Sequence, residues 1–169
     1  MVFLDASGFG VGLRLVYSWT AVGTVRGVPR GGGRVGCVNG IGRLDWQADG
    51  AHRIGFAVVL GSCRTEVVVR YLDRLAQEGA RRGVPTVVYW DNALFHRSQD
   101  LRRCCARWLA CGLRVRYLPC YSPHLNLMET VWRRVKGGLM PRRYYEDVAS
   151  LRAAVVAGLK QLGGEELKI

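Results

Sequence analysis

The chain has 169 residues, 49% of them hydrophobic, and carries 25 Lys and Arg against 13 Asp and Glu, a formal charge of +12. That length holds one domain with a sizeable core, and a basic balance of this size points to a polyanionic partner. No N-terminal leader pattern is legible and no apolar run reaches the roughly 18–20 residues that cross a bilayer, so a cytoplasmic protein with no membrane partner is expected.

Val2 to Leu4 is a short apolar run ending at Asp5, and Ala6-Ser7-Gly8-Phe9-Gly10 breaks it. This reads as a buried strand whose C-terminal end presents a carboxylate. Residues 11–33 are irregular and rich in Gly and Arg. Val35–Leu44 and Ile54–Leu60 read as two strands joined through the hairpin signal Asp49-Gly50. Thr65 is expected to cap a helix over Glu66–Arg82, with Val68, Tyr71, Leu72 and Leu75 as its apolar stripe and Gly83 as its stop. After Pro85, Thr86–Trp90 has the pattern of a buried strand and ends at Asp91.

Ser98 is expected to cap the next helix, which stops at Gly112. Leu113–Leu118 is a strand closed by Pro119. Asn126 opens a helix with Met128, Val131, Trp132, Val135 and Leu139 on one face, limited by Gly137, Gly138 and Pro141. A last helix is expected from about Tyr145 to Leu162. The six cysteines (Cys37, Cys63, Cys104, Cys105, Cys111 and Cys120) form no C-x-x-C pair and have no His at zinc-knuckle spacing, so reduced thiols are expected rather than a structural zinc.

The order is strand, hairpin of two strands, helix, strand, helix, strand, helix, helix. It predicts an α/β domain with a mixed five-stranded sheet and helices on both faces, the element order of the ribonuclease H-like fold. Residues 1–169 then form a single domain, with 145–169 as a C-terminal helical segment. In that fold the first and fourth strands are neighbours, which would bring Asp5 and Asp91 together. Two such carboxylates repel unless a cation lies between them. Mg²⁺ suits the site, and a third carboxylate from a nearby helix completes a two-metal centre for phosphodiester chemistry. Glu129 is the candidate. Its local alternative is a capping box, because it lies three residues after Asn126.

Three blocks then become specific. FLDASGFG, YWDNALFHRS and LPCYSPHLNLMETVWRRVK resemble, in order, the signature blocks of mariner-superfamily DDE transposases, most closely their bacterial insertion-sequence branch, the six-thirty group. The resemblance runs from Val2 to about Leu151, and Asp91 and Glu129 are 38 positions apart, slightly wider than is typical. It implies a DNA transposase catalytic domain in which Asp5, Asp91 and Glu129 are the catalytic acids and metal ligands for two Mg²⁺ or Mn²⁺ ions. Asn92 and His96 match polar residues that follow the second acid and support it or contact phosphate. The partners implied are double-stranded DNA, as transposon ends and a TA target, and a second copy in a homodimer, in a bacterial, nucleoid-associated setting. The helix-turn-helix domains that precede the first strand in the family are expected to be absent.

Ala6, Cys120, His124 and Leu127 depart from the family's usual residues, but none is a metal ligand. Arg102, Arg103, Arg107, Arg133, Arg134, Lys136, Arg142 and Arg143 are candidates for holding the DNA backbone. The alternatives left open are an inactive transposase remnant that only binds DNA nonspecifically, and another ribonuclease H-like nuclease.

Overall fold

The computed structural model describes residues 1–12, 20–24, 36–47, 50–91, 99–119, 122–140 and 145–169. The elements are β1 (Val2–Gly10), β2 (Cys37–Trp46), β3 (His52–Leu60), α1 (Thr65–Arg82), β4 (Thr86–Trp90), α2 (Gln99–Ala110), β5 (Leu113–Tyr117), α3 (Leu127–Arg134), α4 (Val148–Gln161) and β6 (Gly164–Glu166). They build one six-stranded sheet in the order β5-β4-β1-β2-β3-β6. The fold is the expected ribonuclease H-like α/β arrangement, with one strand more than the sequence reading allowed. The extra strand, β6, pairs parallel to β3, and it makes part of the expected helical C-terminal segment a sheet edge.

β1 does not stop at Asp5. It runs antiparallel to β2 from Val2↔Asp45 to Gly10↔Cys37, so backbone pairing carries the strand through Gly8 and Gly10, which side-chain patterning reads as a break. Its other neighbour is shorter: β4 pairs with β1 in parallel only as far as Leu4↔Trp90. β3 pairs over its full length with Val38–Trp46 of β2.

Each sheet face carries its own helices, because the strands are apolar on both sides. On one face Val68, Tyr71, Leu72 and Leu75 of α1, with Leu101 and Trp108 of α2, bury Val2, Leu4, Val88 and Trp90. Arg64 rather than Thr65 is the residue before α1, and it makes no side-chain cap. Gly83 ends α1 in the left-handed region at φ 63°, where a side chain would be strained. Asp73 of α1 accepts from both Trp108 Nε1 (2.7 Å) and Arg107 (2.6 Å), locking the two helices together. The expected Ser98 cap of α2 lies outside the described residues.

On the other face α3 and α4 cover β1, β2 and β3, burying Phe9, Val38, Leu44, Ile54 and Phe56 under Met128, Val131, Trp132, Leu151, Val155 and Leu159. Close approach is possible because β2 lacks side chains beneath α3. A Cβ on Gly40 would lie 2.8 Å from the Trp132 ring, and one on Gly42 would lie 2.9 Å from it and overlap Met128. α3 passes into a π-helical turn at Val135–Leu139, where the sequence pattern reads one continuous helix; Gly137 and Gly138 supply the backbone latitude. α4 begins at Val148, later than the expected Tyr145, because Asp147 and Ser150 form a reciprocal capping box there. Among the described residues no helix is long and apolar enough to cross a membrane.

Candidate active site

Leu4 and Trp90 are the last registered pair of the parallel strands β1 and β4, about 5 Å apart, and the next residues, Asp5 and Asp91, follow them side by side. Two residues earlier on the same face, Phe3 stacks on Tyr89 with ring centroids 5.7 Å apart. That face is the one α3 covers, since Leu4 and Trp90 point to α1 and α2. Asp5 is therefore a mid-strand residue on the β2 side, at the level where its parallel neighbour leaves the sheet.

Asn126 brings the third acid to this point. It is buried, and its two polar atoms do different jobs: Oδ1 accepts from Met128 N at 3.2 Å, capping α3, while Nδ2 donates to the Leu4 carbonyl at 3.2 Å. One side chain thus pins the start of the helix to the residue before Asp5. Glu129 lies in the first turn of that helix, its carboxylate 4.0 Å from Arg133. The cap bond is to Met128 N, so the capping box that competes with a site role for Glu129 is not what positions this helix. Replacing Asn126 by Ala removes the cap and leaves the Leu4 carbonyl without its donor. The expected cost is about 2–3 kcal/mol in chemical denaturation; a loss below about 0.5 kcal/mol would show that the pin is not holding the helix.

Lys136, in the π turn, closes the arrangement. Its Nζ donates to Ser7 Oγ at 2.6 Å and sits 4.9 Å above the centre of the Phe9 ring. Ser7 shares Asp5's strand and face, two residues on. The Asp5 carboxyl is pushed up to about 7, chiefly by burial, and further by the negative charges of Asp91 and Glu129; the Ala6 backbone bond and Lys136 oppose the rise. Three acids and one ammonium therefore share a single field. Among the described residues no three His, Cys, Asp or Glu side chains close to metal-holding distance, so the three carboxylates stand in electrostatic reach of one another without forming a finished cage.

The other candidates scatter. Arg133 and Arg134 are exposed on α3, and Arg103 is exposed on α2, which packs against the opposite sheet face. Arg107 is committed to Asp73. Asn92, His96, Arg142 and Arg143, and the side chain of Arg102, lie outside the described residues. Sequence reasoning missed Ser7 and the second bond of Asn126. The first was discoverable from the i, i+2 rule once β1 is seen to continue past Asp5; the second depends on a contact 122 residues away in sequence and leaves no local signal.

Residues 1–152 match the family of DDE superfamily endonucleases. A search of curated proteins by sequence finds no match. Solved structures that resemble the chain include the Mos1 transposase paired-end complex with left transposon end (13% identity, TM-score 0.63, covering 95% of this chain and 51% of that one) and a pre-cleavage Mos1 transpososome (13% identity, TM-score 0.64, covering 95% and 52%). The chain spans about half the length of these relatives, and at this identity the likeness speaks to the fold. The family match over nine-tenths of the sequence goes further, and by it the chain belongs to the DDE superfamily endonucleases.

Proposed function

We propose that the chain is the catalytic domain of a DDE transposase of the mariner superfamily, in its bacterial insertion-sequence branch, acting on double-stranded DNA. Asp5, Asp91 and Glu129 are its acids. The observation that carries this reading is the shared field at Asp5: a half-buried carboxyl, pushed up to about 7 chiefly by burial and further by two other acids, marks a site with surplus negative charge and only oxygen donors. Such a donor set fits a hard divalent cation, and family membership supports the same dependence. Mg²⁺ or Mn²⁺, as two ions, would be held by the three carboxylates and would supply water activation and relief of charge on the leaving oxygen.

The chain's own groups do the rest. Asn126 fixes the height of Glu129 above β1, and Lys136 balances part of the acid charge while holding Ser7. Arg133 and Arg134 flank Glu129 on α3 and, with Arg102, Arg103, Arg142 and Arg143, are proposed phosphate contacts. Asn92 and His96 are proposed to support the second acid. Cleavage at transposon ends, strand transfer into a TA target, action as a homodimer and nucleoid association in a bacterial cytoplasm complete the proposal, with the whole of 1–169 as one catalytic domain.

Mn²⁺ titration followed by thermal unfolding tests the site without requiring activity. Ion at about 100 times its dissociation constant stabilises by about 2.7 kcal/mol, or roughly 5–10 °C for a domain of this size. The wild type is expected to show that rise and Asp5→Ala to lose it. A wild type indifferent to millimolar Mn²⁺ would overturn the catalytic reading and favour a remnant that only binds DNA.

A further inference from the structure

We propose that the outer part of the sheet, β4 and β5 on the face shared with the acids, is a track for the phosphodiester backbone of DNA entering the site, with Arg114 and Arg116 as its cations. The inference rests on the reading of DNA as partner and adds a site that the sequence pattern did not single out.

Register makes the argument. β5 is the outermost strand, next to β4, which is next to β1. Arg114 pairs with Val87 and Arg116 with Tyr89, while Tyr89 pairs with Phe3. Registered neighbours share a face, so both arginines lie on the face of Phe3, Tyr89 and Asp5. Leu113 and Val115 turn the other way, into the core beneath α1 and α2.

Both arginines are exposed and Tyr89 is half-buried, whereas the same face over β1 to β3 is occupied by α3 and α4. The two cations are spaced by two residues, about 7 Å along the strand, and lie two strands, about 10 Å, from β1.

Charge selects the occupant. A planar guanidinium offers paired donors to a phosphate, and two on one strand face suit successive phosphates of a backbone. The rival occupant is a second copy paired edge to edge through β5. That pairing would set Arg114 and Arg116 against their own counterparts, a device that blunts edge pairing rather than promoting it. The track ends on the Phe3–Tyr89 ring stack, directly before Asp5 and Asp91, so a strand lying on it is aimed at the acids.

The test is metal-free binding of a 30-base-pair duplex by fluorescence anisotropy across a salt series. It compares wild type, Arg114→Gln/Arg116→Gln, and a charge-matched control, Arg70→Gln/Arg81→Gln, on the exposed side of α1. Loss of two phosphate contacts should reduce the log–log salt slope by about 1.8 and weaken low-salt binding at least about tenfold, with the control close to wild type. An unchanged slope in the β5 variant, or an equal loss in the control, would overturn the track while leaving the DNA reading intact. Salt-independent binding by the wild type would overturn both. Melting temperatures of the variants confirm that exposed positions were changed without unfolding.

Discussion

Asp91→Asn is expected to lower divalent-metal-dependent nicking of plasmid DNA by about 10³-fold or more and to leave the fold intact. Asp91 follows the last β4 residue that pairs with β1, as Asp5 follows that residue's partner, and its charge is one of the two that push the Asp5 carboxyl up. Asparagine keeps the size and the hydrogen-bonding capacity of the side chain but removes that charge and with it the means to hold a cation. The effect should therefore fall on turnover and metal response, with the circular dichroism spectrum and cooperative melting retained. Cutting at the wild-type rate by this variant would remove Asp91 from the catalytic set, and the family resemblance would then mark ancestry rather than activity.

The second large effect has the opposite sign for stability. Metal-free Asp5→Asn should be more stable than the wild type at pH 8. The folded Asp5 carboxyl titrates near 7, against 3.8 for its ordinary value, so the folded chain holds this proton more tightly than the unfolded chain. Its stabilising contribution is then fully present below about 3.8 and is lost as pH rises through about 7. The shift corresponds to a cost on the order of 4 kcal/mol for keeping the carboxylate charged, which the neutral amide avoids.

Urea titrations at pH 5 and pH 8 without metal should show the wild type weakening across this interval and the variant lacking that loss. Saturating Mn²⁺ should reverse the order, because only the wild type gains from the ion. Parallel pH dependences for the two proteins would show that Asp5 is ordinarily solvated and not the strained centre of the site. The pairing of outcomes is the signature of a functional group kept at the expense of stability.

Much of this arrangement is legible from residue order. α1 follows the stripe Val68, Tyr71, Leu72 and Leu75, and β4 follows the uninterrupted run ending at Trp90, because both bury side chains in a regular period. The adjacency of Asp5 and Asp91 is expected once the element order is taken as that of the ribonuclease H-like fold, where the first and fourth strands are neighbours. Illegible parts depend on partners that are distant in sequence. β1 continues through glycines because β2 supplies its hydrogen bonds, not because its own side chains demand it. β6 is Gly-Glu-Glu, with no apolar alternation to announce it, and it exists through pairing with β3. The ammonium of Lys136 reaches Ser7 across 129 positions through a π turn that period-3.6 patterning reads as plain helix. Asn126 is recognisable as a cap, but nothing in its neighbourhood reveals that its amide also grips Leu4.

The close seating of Trp132 and Met128 over Gly40 and Gly42 gives β2 a hold over chemistry it does not carry. The distance from the third acid to the first is in effect gauged by two hydrogen atoms on a neighbouring strand. A copy of this domain with an ordinary alanine at either glycine would press on the Trp132 ring and lift the helix that bears Glu129. Such a copy would still display all three acids in the proper order. Reading the acids alone would count it as intact, whereas reading the strand beneath the helix would identify it as spent.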